Sequence, residues 1–426
     1  MTESARPTAI VVGAGIAGLI GAVDLARAGV AVTLLEGGAQ AGGRARTRQV
    51  GGFAMNQGPH ALYRGGAFAK TLNRLGVPTP GRSPAFAQAQ GMADGKLTRL
   101  PVSLDALART RLFTLADKLG FARIQKRITG GARPEGSVGA WLDGQRLSPR
   151  LRQAVEAFVR LSSYSNAPRQ TSAAAALDQM RLTYKGVSYI DGGWSTLVDG
   201  LVKACEAAGV VVRTGSAAEQ VAPLADGFKV RLAGGEEMSA DTVLLAMGPH
   251  EASGLAQGMA SLRQAASDAI PIRMNALDLG LERMPERGAA FALGIDRPFY
   301  HSLHSDAGRL APEGCALVHV ARYLRSGEAP GPDAVIELER YADEVMPGWR
   351  PLERQRQRLI AMTVVHAVWR WDVARPGVAV AEAPGLFVAG DWVGGEGMLS
   401  DASAASALQA ARQMMAHLTR RTRAAA

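Results

Sequence analysis

The sequence predicts an α/β fold in two parts. One is a Rossmann-like nucleotide-binding domain built from discontinuous segments, and the other is an α+β domain of mixed sheet and helix. Three observations carry this prediction. A strand, glycine turn, helix, strand and acid follow one another over residues 8–36; a later buried run ends in Gly390-Asp391; and two insertions of different hydrophobic rhythm lie between. The first series opens with Thr8-Ala-Ile-Val-Val12, an apolar run broken at Gly13-Ala-Gly15-Ile16-Ala17-Gly18. Gly13 permits a tight turn, Gly15 lets backbone approach a pyrophosphate, and Gly18 lets the next helix pack on the strand. Ile16 and Ala17 begin that helix, whose N-terminal amides and dipole face a phosphate. After Gly29 a second strand, Val30 to Leu35, delivers Glu36, a carboxylate placed to accept ribose hydroxyls. A membrane span or signal peptide is the rival reading of residues 8–23. Gly13, Gly15, Gly18 and Gly21 interrupt that run and Asp24 closes it short of a span.

The residues that follow select the longer dinucleotide, FAD. Gly37-Gly-Ala-Gln-Ala-Gly42-Gly43-Arg44-Ala-Arg46 is a second glycine turn that carries fixed cations. Gly51 to Gly58-Pro59-His60 brings back another glycine-rich loop. Near the other end, Gly385-Leu-Phe-Val-Ala-Gly390-Asp391 reads as a buried strand whose carboxylate can hold a ribityl hydroxyl. The Ala-rich stretch Met398-Leu399 to Leu418 reads as a helix. Its positive end would face the flavin pyrimidine and stabilise the anion formed on reduction.

On these residues the chain resembles the flavoprotein superfamily of monoamine and polyamine oxidases, protoporphyrinogen oxidase and phytoene desaturases. The match rests on Gly13, Gly15, Gly18 and Glu36, the Gly42-Gly43-Arg44 turn, Gly58-Pro59, and Gly390-Asp391 with its following helix. A middle segment also fits: Asp191-Gly-Gly-Trp-Ser-Thr-Leu197, a helix to Ala208, strands at Val210 to Val212 and near Val221, then Phe228 to Leu232 and Asp241 to Ala246. The resemblance implies that Val221 holds the adenine through backbone. It also implies an FAD-binding domain of residues 1–66, 188–262 and 375–418 and a substrate domain of residues 67–187 and 263–374.

The first insertion is helical in pattern. Leu104, Leu107, Leu112, Leu115 and Leu119 keep a helical spacing, Ser148-Pro149 signals a further helix start, and Gly130 to Gly136 is a loop. The second alternates like strands at Ala276 to Leu281, Ala290 to Ile295 and Ala316 to Ala321, with a loop at Gly327 to Pro332. Residues 419–426 read as a disordered tail. Cys205 and Cys315 stand far apart with no CxxC pattern, which argues for a reducing, cytoplasmic setting. The chain nets +10, and residues 37–160 hold 20 basic against 6 acidic side chains. No nucleic-acid module accompanies that excess, so nucleic acid is not an expected partner. An arginine-rich solvated surface and peripheral contact with anionic lipid are the two readings of it.

A flavin carries the redox chemistry itself, so no acid–base pair is required of the sequence. What is missing is informative. The chain has no lysine after Lys229, whereas amine oxidases of this superfamily place one in the later substrate domain. Their cage tyrosine after the Gly-Asp strand falls on Met398 here, and the amine reading stays open because Arg273 or a histidine could take the lysine's place. No second nucleotide fingerprint for a nicotinamide follows, so oxygen, a quinone or another acceptor would take the electrons. Met398 and Trp369-Arg-Trp371 suggest an apolar surface at the flavin, or ordinary core. His60 is a candidate for the isoalloxazine edge, with structural and proton-transfer roles both open. His301 and His304, an odd number apart on a strand, point to opposite faces and make no metal site. The expected activity is desaturation of a C–C bond in an apolar substrate such as an isoprenoid. Amine or amino-acid oxidation, redox-neutral isomerisation and a non-catalytic prenyl-binding role are the alternatives.

Overall fold

The computed structural model describes residues 6–425. A five-stranded parallel sheet lies at its centre, in the order Val211–Arg213, Ala31–Leu35, Thr8–Val12, Thr242–Leu245, Leu386–Val388. Its strands are short Val/Leu-rich runs because both faces are covered, the condition under which strands lose polar alternation. The helix Ile16–Arg27 covers one face and packs against the long C-terminal helix Leu399–Ala425. The meander Ala218–Leu224, Gly227–Leu232, Glu237–Ala240 adds a small antiparallel sheet to the same core.

A second, seven-stranded sheet runs Glu353–Val365, Ile272–Leu281, Ala316–Tyr323, Phe299–Leu303, Phe291–Gly294, Gln90–Ala93, Lys96–Arg99. Its alternating residues divide between two cores. Leu277, Leu279, Val318 and Val320 pack under the helix Ala334–Val345, while Met274, Ala276, Ala321 and Tyr323 face the helices of residues 115–183. The first insertion is therefore not helical throughout. Its hairpin Gln90–Ala93/Lys96–Arg99 pairs in parallel with Phe291–Gly294, joining two segments that sequence rhythm keeps apart.

Two further expectations are corrected. The five spaced leucines do not share one helix. Ser103 caps a helix Leu104–Arg109, and Thr114 caps another, Leu115–Thr129, through a capping box with Asp117. Two start signals in succession override the periodicity. Leu107 and Leu112 are buried, but Leu104, Leu115 and Leu119 are 81%, 76% and 56% exposed. The helix after Gly390-Asp391 does not end at Leu418 but continues to Ala425, so residues 419–425 are ordered helix; Ala426 lies outside the described residues. Thr419 and Thr422 bond back to the carbonyls of Met415 and Leu418, and Arg421 reaches Asp241 O at 3.1 Å, which ties the last turns down. As the spacing anticipates, Ser148 caps the helix Pro149–Ser163. Cys205 and Cys315 are both free thiols, and no described helix is long and apolar enough to cross a membrane.

The seven-stranded sheet also buries polar groups. Asp278 and His319 face each other across neighbouring strands, both fully buried, with Nδ1 2.5 Å from Oδ1. His301 Nε2 lies 2.7 Å from Ala289 O, while His304 stacks on Tyr189 at 3.8 Å and meets the Tyr300 hydroxyl. Burial lowers His301 and His60 to about 4 and His304 well below its ordinary value. A histidine held neutral in the fold binds fewer protons than in the unfolded chain. Its contribution is complete above the unfolded pKa of about 6.5 and is lost as pH falls toward the folded value. The melting temperature is accordingly expected to drop as pH falls from about 6.5 to about 4. His304→Phe, which keeps the stack on Tyr189, should flatten that decline; an unchanged slope would rule the histidine out as its source.

Candidate active site

The glycine turn after Thr8–Val12 is shaped by close backbone approach. Gly13 has φ +101°, and a Cβ there would lie 2.6 Å from Ala246 O. A Cβ on Gly18 would lie 1.8 Å from Gly13 O, so any side chain would push the helix off the strand. Gly15 is open: nothing lies within 4 Å of its Cβ position, which leaves bare backbone at the helix N-terminus. Glu36 closes the turn, its carboxylate accepting from the amides of Ala14 (2.9 Å) and Gly38 (2.8 Å). The Gly42-Gly43-Arg44 turn folds back onto this motif. Gly42 N donates to Ala14 O at 2.7 Å, and a Cβ on Gly43 would sit 3.7 Å from Gly15 Cα.

Arg44 reaches across to the far end of the sheet. Its guanidinium donates to Val364 O at 2.6 Å, lies 2.8 Å from Asp391 Oδ2, and is 3.1 Å from His366 Nδ1. Asp391, 3% exposed, also accepts from His366 Nδ1 at 2.9 Å. Burial alone would raise the Asp391 carboxyl, but Arg44 and His366 outweigh it and hold the group well below the usual carboxylate range. Arg375 fixes the surrounding loop by donating to the carbonyls of Asp391 and Gly397.

All of this borders one cavity of about 790 Å³, within the range of cofactor and small-molecule sites. Gly13, Gly15, Ile16, Ala17, Glu36 and Gly37 line one end; Gly43, Arg44, Gly390 and Asp391 line its middle. Beyond Asp391 the wall is formed by Pro59, His60, Tyr63, Tyr164, Met274, Met362 and Leu399. Bare glycine backbone at a helix N-terminus, the acid Glu36 and the Arg44–Asp391 pair lie along one continuous cleft, an arrangement that fits FAD.

Several nominated residues lie elsewhere. Val221, expected to hold adenine through its backbone, buries its side chain in the core at 3% exposure, and Ala217 and Ala218 at the strand's start line the cavity. Met398 is buried behind Leu399, which has φ +57° and takes the cavity position instead. Gly58, at φ +82°, supports the loop from beneath, since a Cβ there would meet Met362 Sδ at 2.9 Å. Trp369 stacks under Arg375 at 4.6 Å and Trp371 is 53% exposed, so neither forms a flavin wall.

The sequence did not nominate His366, Tyr63, Tyr164, Met274 or Met362. Tyr63 donates its hydroxyl to Ser162 O and Tyr164, at φ +60°, donates to Pro59 O, so each presents ring rather than hydroxyl to the cavity. His60 stands among them, its ring edge-on to Trp194 at 4.7 Å and its Nδ1 2.9 Å from Gly58 O. A carbonyl only accepts, so Nδ1 carries the proton and Nε2 keeps its lone pair. Burial holds that imidazole neutral, at about 4.

Residues 16–273 match the family described as flavin containing amine oxidoreductase. A hydroxyneurosporene desaturase of Rubrivivax gelatinosus is 28% identical over 292 residues, 59% of this chain. The chain spans about half the length of that relative, 54%. A hydroxysqualene dehydroxylase of Rhodopseudomonas palustris is 26% identical over 417 residues, 90% of this chain and 92% of its own. Among solved structures, an oxidoreductase from Methanosarcina mazei superposes with a TM-score of 0.76 at 20% identity, covering 94% of this chain and 99% of that one.

Proposed function

The chain belongs to the flavin-containing amine oxidoreductase family, and from that premise we propose that this FAD-dependent oxidoreductase desaturates a carbon–carbon bond in an apolar, uncharged substrate of isoprenoid type. One observation carries the reading: among the described residues, the cavity wall past Asp391 holds no charged side chain. The charged lining groups are committed elsewhere. Glu36 and Arg46 bond the glycine turns, Arg44 and His366 face Asp391, and Glu251 flanks Gly248 beside His366. An ammonium ion entering among Tyr63, Tyr164, Met274 and Met362 would lose its hydration with no carboxylate to replace it, which is strongly unfavourable. A hydrocarbon loses nothing there. The desaturase among the relatives supports the same substrate class.

Bound FAD supplies a two-electron acceptor that takes the hydride. The chain contributes the rest. The aromatic and thioether wall excludes water and holds the substrate, and His60 Nε2 accepts the proton that leaves with it, so that a single bond becomes a double bond. Oxygen, a quinone or another acceptor then receives the electrons. A second reading, reductive replacement of a hydroxyl by hydrogen in the same substrate class, is favoured by the dehydroxylase that aligns over nearly the whole chain.

Anaerobic bleaching of the bound flavin tests both. Isoprenoids are expected to bleach it and to return products with one more double bond, while primary to tertiary amines leave it yellow. Bleaching by amines would overturn the reading. Anaerobic reoxidation of chemically reduced protein by an isoprenoid alcohol would instead favour dehydroxylation.

A further inference from the structure

The two capped helices Leu104–Arg109 and Leu115–Thr129 leave an apolar edge that no described residue covers. Leu104, Leu115, Leu119 and Val102 are 81%, 76%, 56% and 39% exposed. Single exposed leucines need no explanation, but these are gathered. Lys118 Nζ donates to Ala108 O at 2.6 Å and holds the first turn of the second helix against the last turn of the first. Leu104 lies one turn before Ala108 on the first helix, and Leu115 and Leu119 lie one turn before and next to Lys118 on the second, so the bond joins the two leucine-bearing turns. Arg123 and Lys126 continue the face that Leu115 and Leu119 begin.

Charge follows the same edge. Residues 96–127 hold eight basic and two acidic side chains. Of the two acids, Asp117 is buried in its cap and Asp105 pairs with Arg109 at 2.8 Å. Arg111, Arg123, Lys126 and Arg127 stand exposed, and no acid follows Asp117 before residue 128. An outward leucine face ringed by arginine and lysine is the reverse of an ordinary solvated helix surface.

We propose that this edge docks on an anionic phospholipid surface. The leucines enter the boundary between headgroups and acyl chains, and the surrounding cations meet the lipid phosphates. A second copy of the chain is a poorer occupant, because it would bring the same positive charge face to face. The contact is peripheral, since no described helix can span a bilayer. The proposal stands independently of the substrate reading: flavin bleaching tests one and vesicle binding the other.

The test is co-sedimentation of flavin-loaded full-length protein with phosphatidylglycerol–phosphatidylcholine vesicles, against phosphatidylcholine alone, at low and high salt. Wild type is expected to bind the anionic vesicles, to bind phosphatidylcholine weakly, and to release with salt. The triple variant Leu104→Ser/Leu115→Ser/Leu119→Ser should bind more than about tenfold less tightly, and Arg123→Glu/Lys126→Glu should do likewise by about tenfold or more. Both variants alter exposed positions, so flavin content and melting temperature should match wild type. Absence of binding by folded wild type overturns the proposal, as does equal binding by folded variants. Self-association in the absence of vesicles that the leucine variant abolishes would assign the edge to a second copy instead.

Discussion

Asp391→Ala is expected to purify with little or no flavin and to melt well below wild type. Asp391 is 3% exposed and is shared by Arg44 at 2.8 Å and His366 Nδ1 at 2.9 Å. Removing it leaves a guanidinium 3.1 Å from an imidazole, with nothing anionic between them. Deleting one partner of a buried ion pair costs about 3–5 kcal/mol. Here the lower end applies, because the Arg44 side chain is 37% exposed to the cleft. Asp391→Asn keeps a hydrogen-bonding oxygen but not the charge, so it should fall between the two. Visible absorbance per protein and the melting temperature read both effects, and an alanine variant carrying a full complement of flavin would refute the assignment. The acid dependence has a definite sign. A carboxyl with a depressed folded pKa stabilises above its unfolded value of about 3.9, and that contribution is lost only as pH falls through the lower folded value. Mild acid, which lowers the melting temperature through the buried histidines, should therefore not reproduce the loss of flavin caused by Asp391→Ala.

The nucleotide half of the cleft was legible because each of its parts is written locally. Gly13, Gly15, Gly18 and Glu36 are required by turn geometry and bare backbone, and those requirements act within a few residues of sequence. The same locality let Ser148-Pro149 announce a helix. It says less where position depends on irregularity. The strand Ala218–Leu224 carries a register shift between Ala218 and Gln220, and Ala217 and Ala218, which sequence rhythm does not single out, line the cavity. Composition cannot place a bulge. Leu399 displaced Met398 for a related reason: the helix begins through a left-handed residue, φ +57°, that helix propensity gives no cause to expect.

The substrate wall was illegible for a different reason. Tyr63, Tyr164, Met274 and Met362 come from four separate segments and line one cavity with His60. The segments are the strand Leu62–Tyr63, the C-terminal cap of the helix Pro149–Ser163, and the neighbouring strands Ile272–Leu281 and Glu353–Val365. In its own stretch each reads as ordinary core: a two-residue strand end, a helix C-cap and two positions on long strands. His366 is similar, a lone histidine 25 residues before the aspartate it touches. The absence of lysine after Lys229 spoke only about what the wall is not. The residues that would choose the substrate are thus the ones whose meaning depends on the completed fold.

His60 is where that wall makes its sharpest demand. His60→Phe is expected to keep its flavin yet lose about 10²–10⁴-fold in the rate of flavin reduction, the usual contribution of a positioned general base. A neutral imidazole lowered to about 4 is a weak base, but a substrate that has surrendered a hydride is a strong acid, so a weak base aimed at it suffices. The Nδ1–H held by Gly58 O, 2.9 Å away, fixes the tautomer in which Nε2 can accept, on a residue that lines the cavity. Wild-type reduction should accordingly be supported above about pH 4 and fail as the imidazole protonates below it. His60→Asn separates this role from a structural one, because its amide can donate to Gly58 O but cannot take a proton. If both variants hold flavin and both lose the chemical step along with the acid limb, His60 is the base. If asparagine restores the rate, His60 only braces the Pro59 loop and the proton leaves by another route.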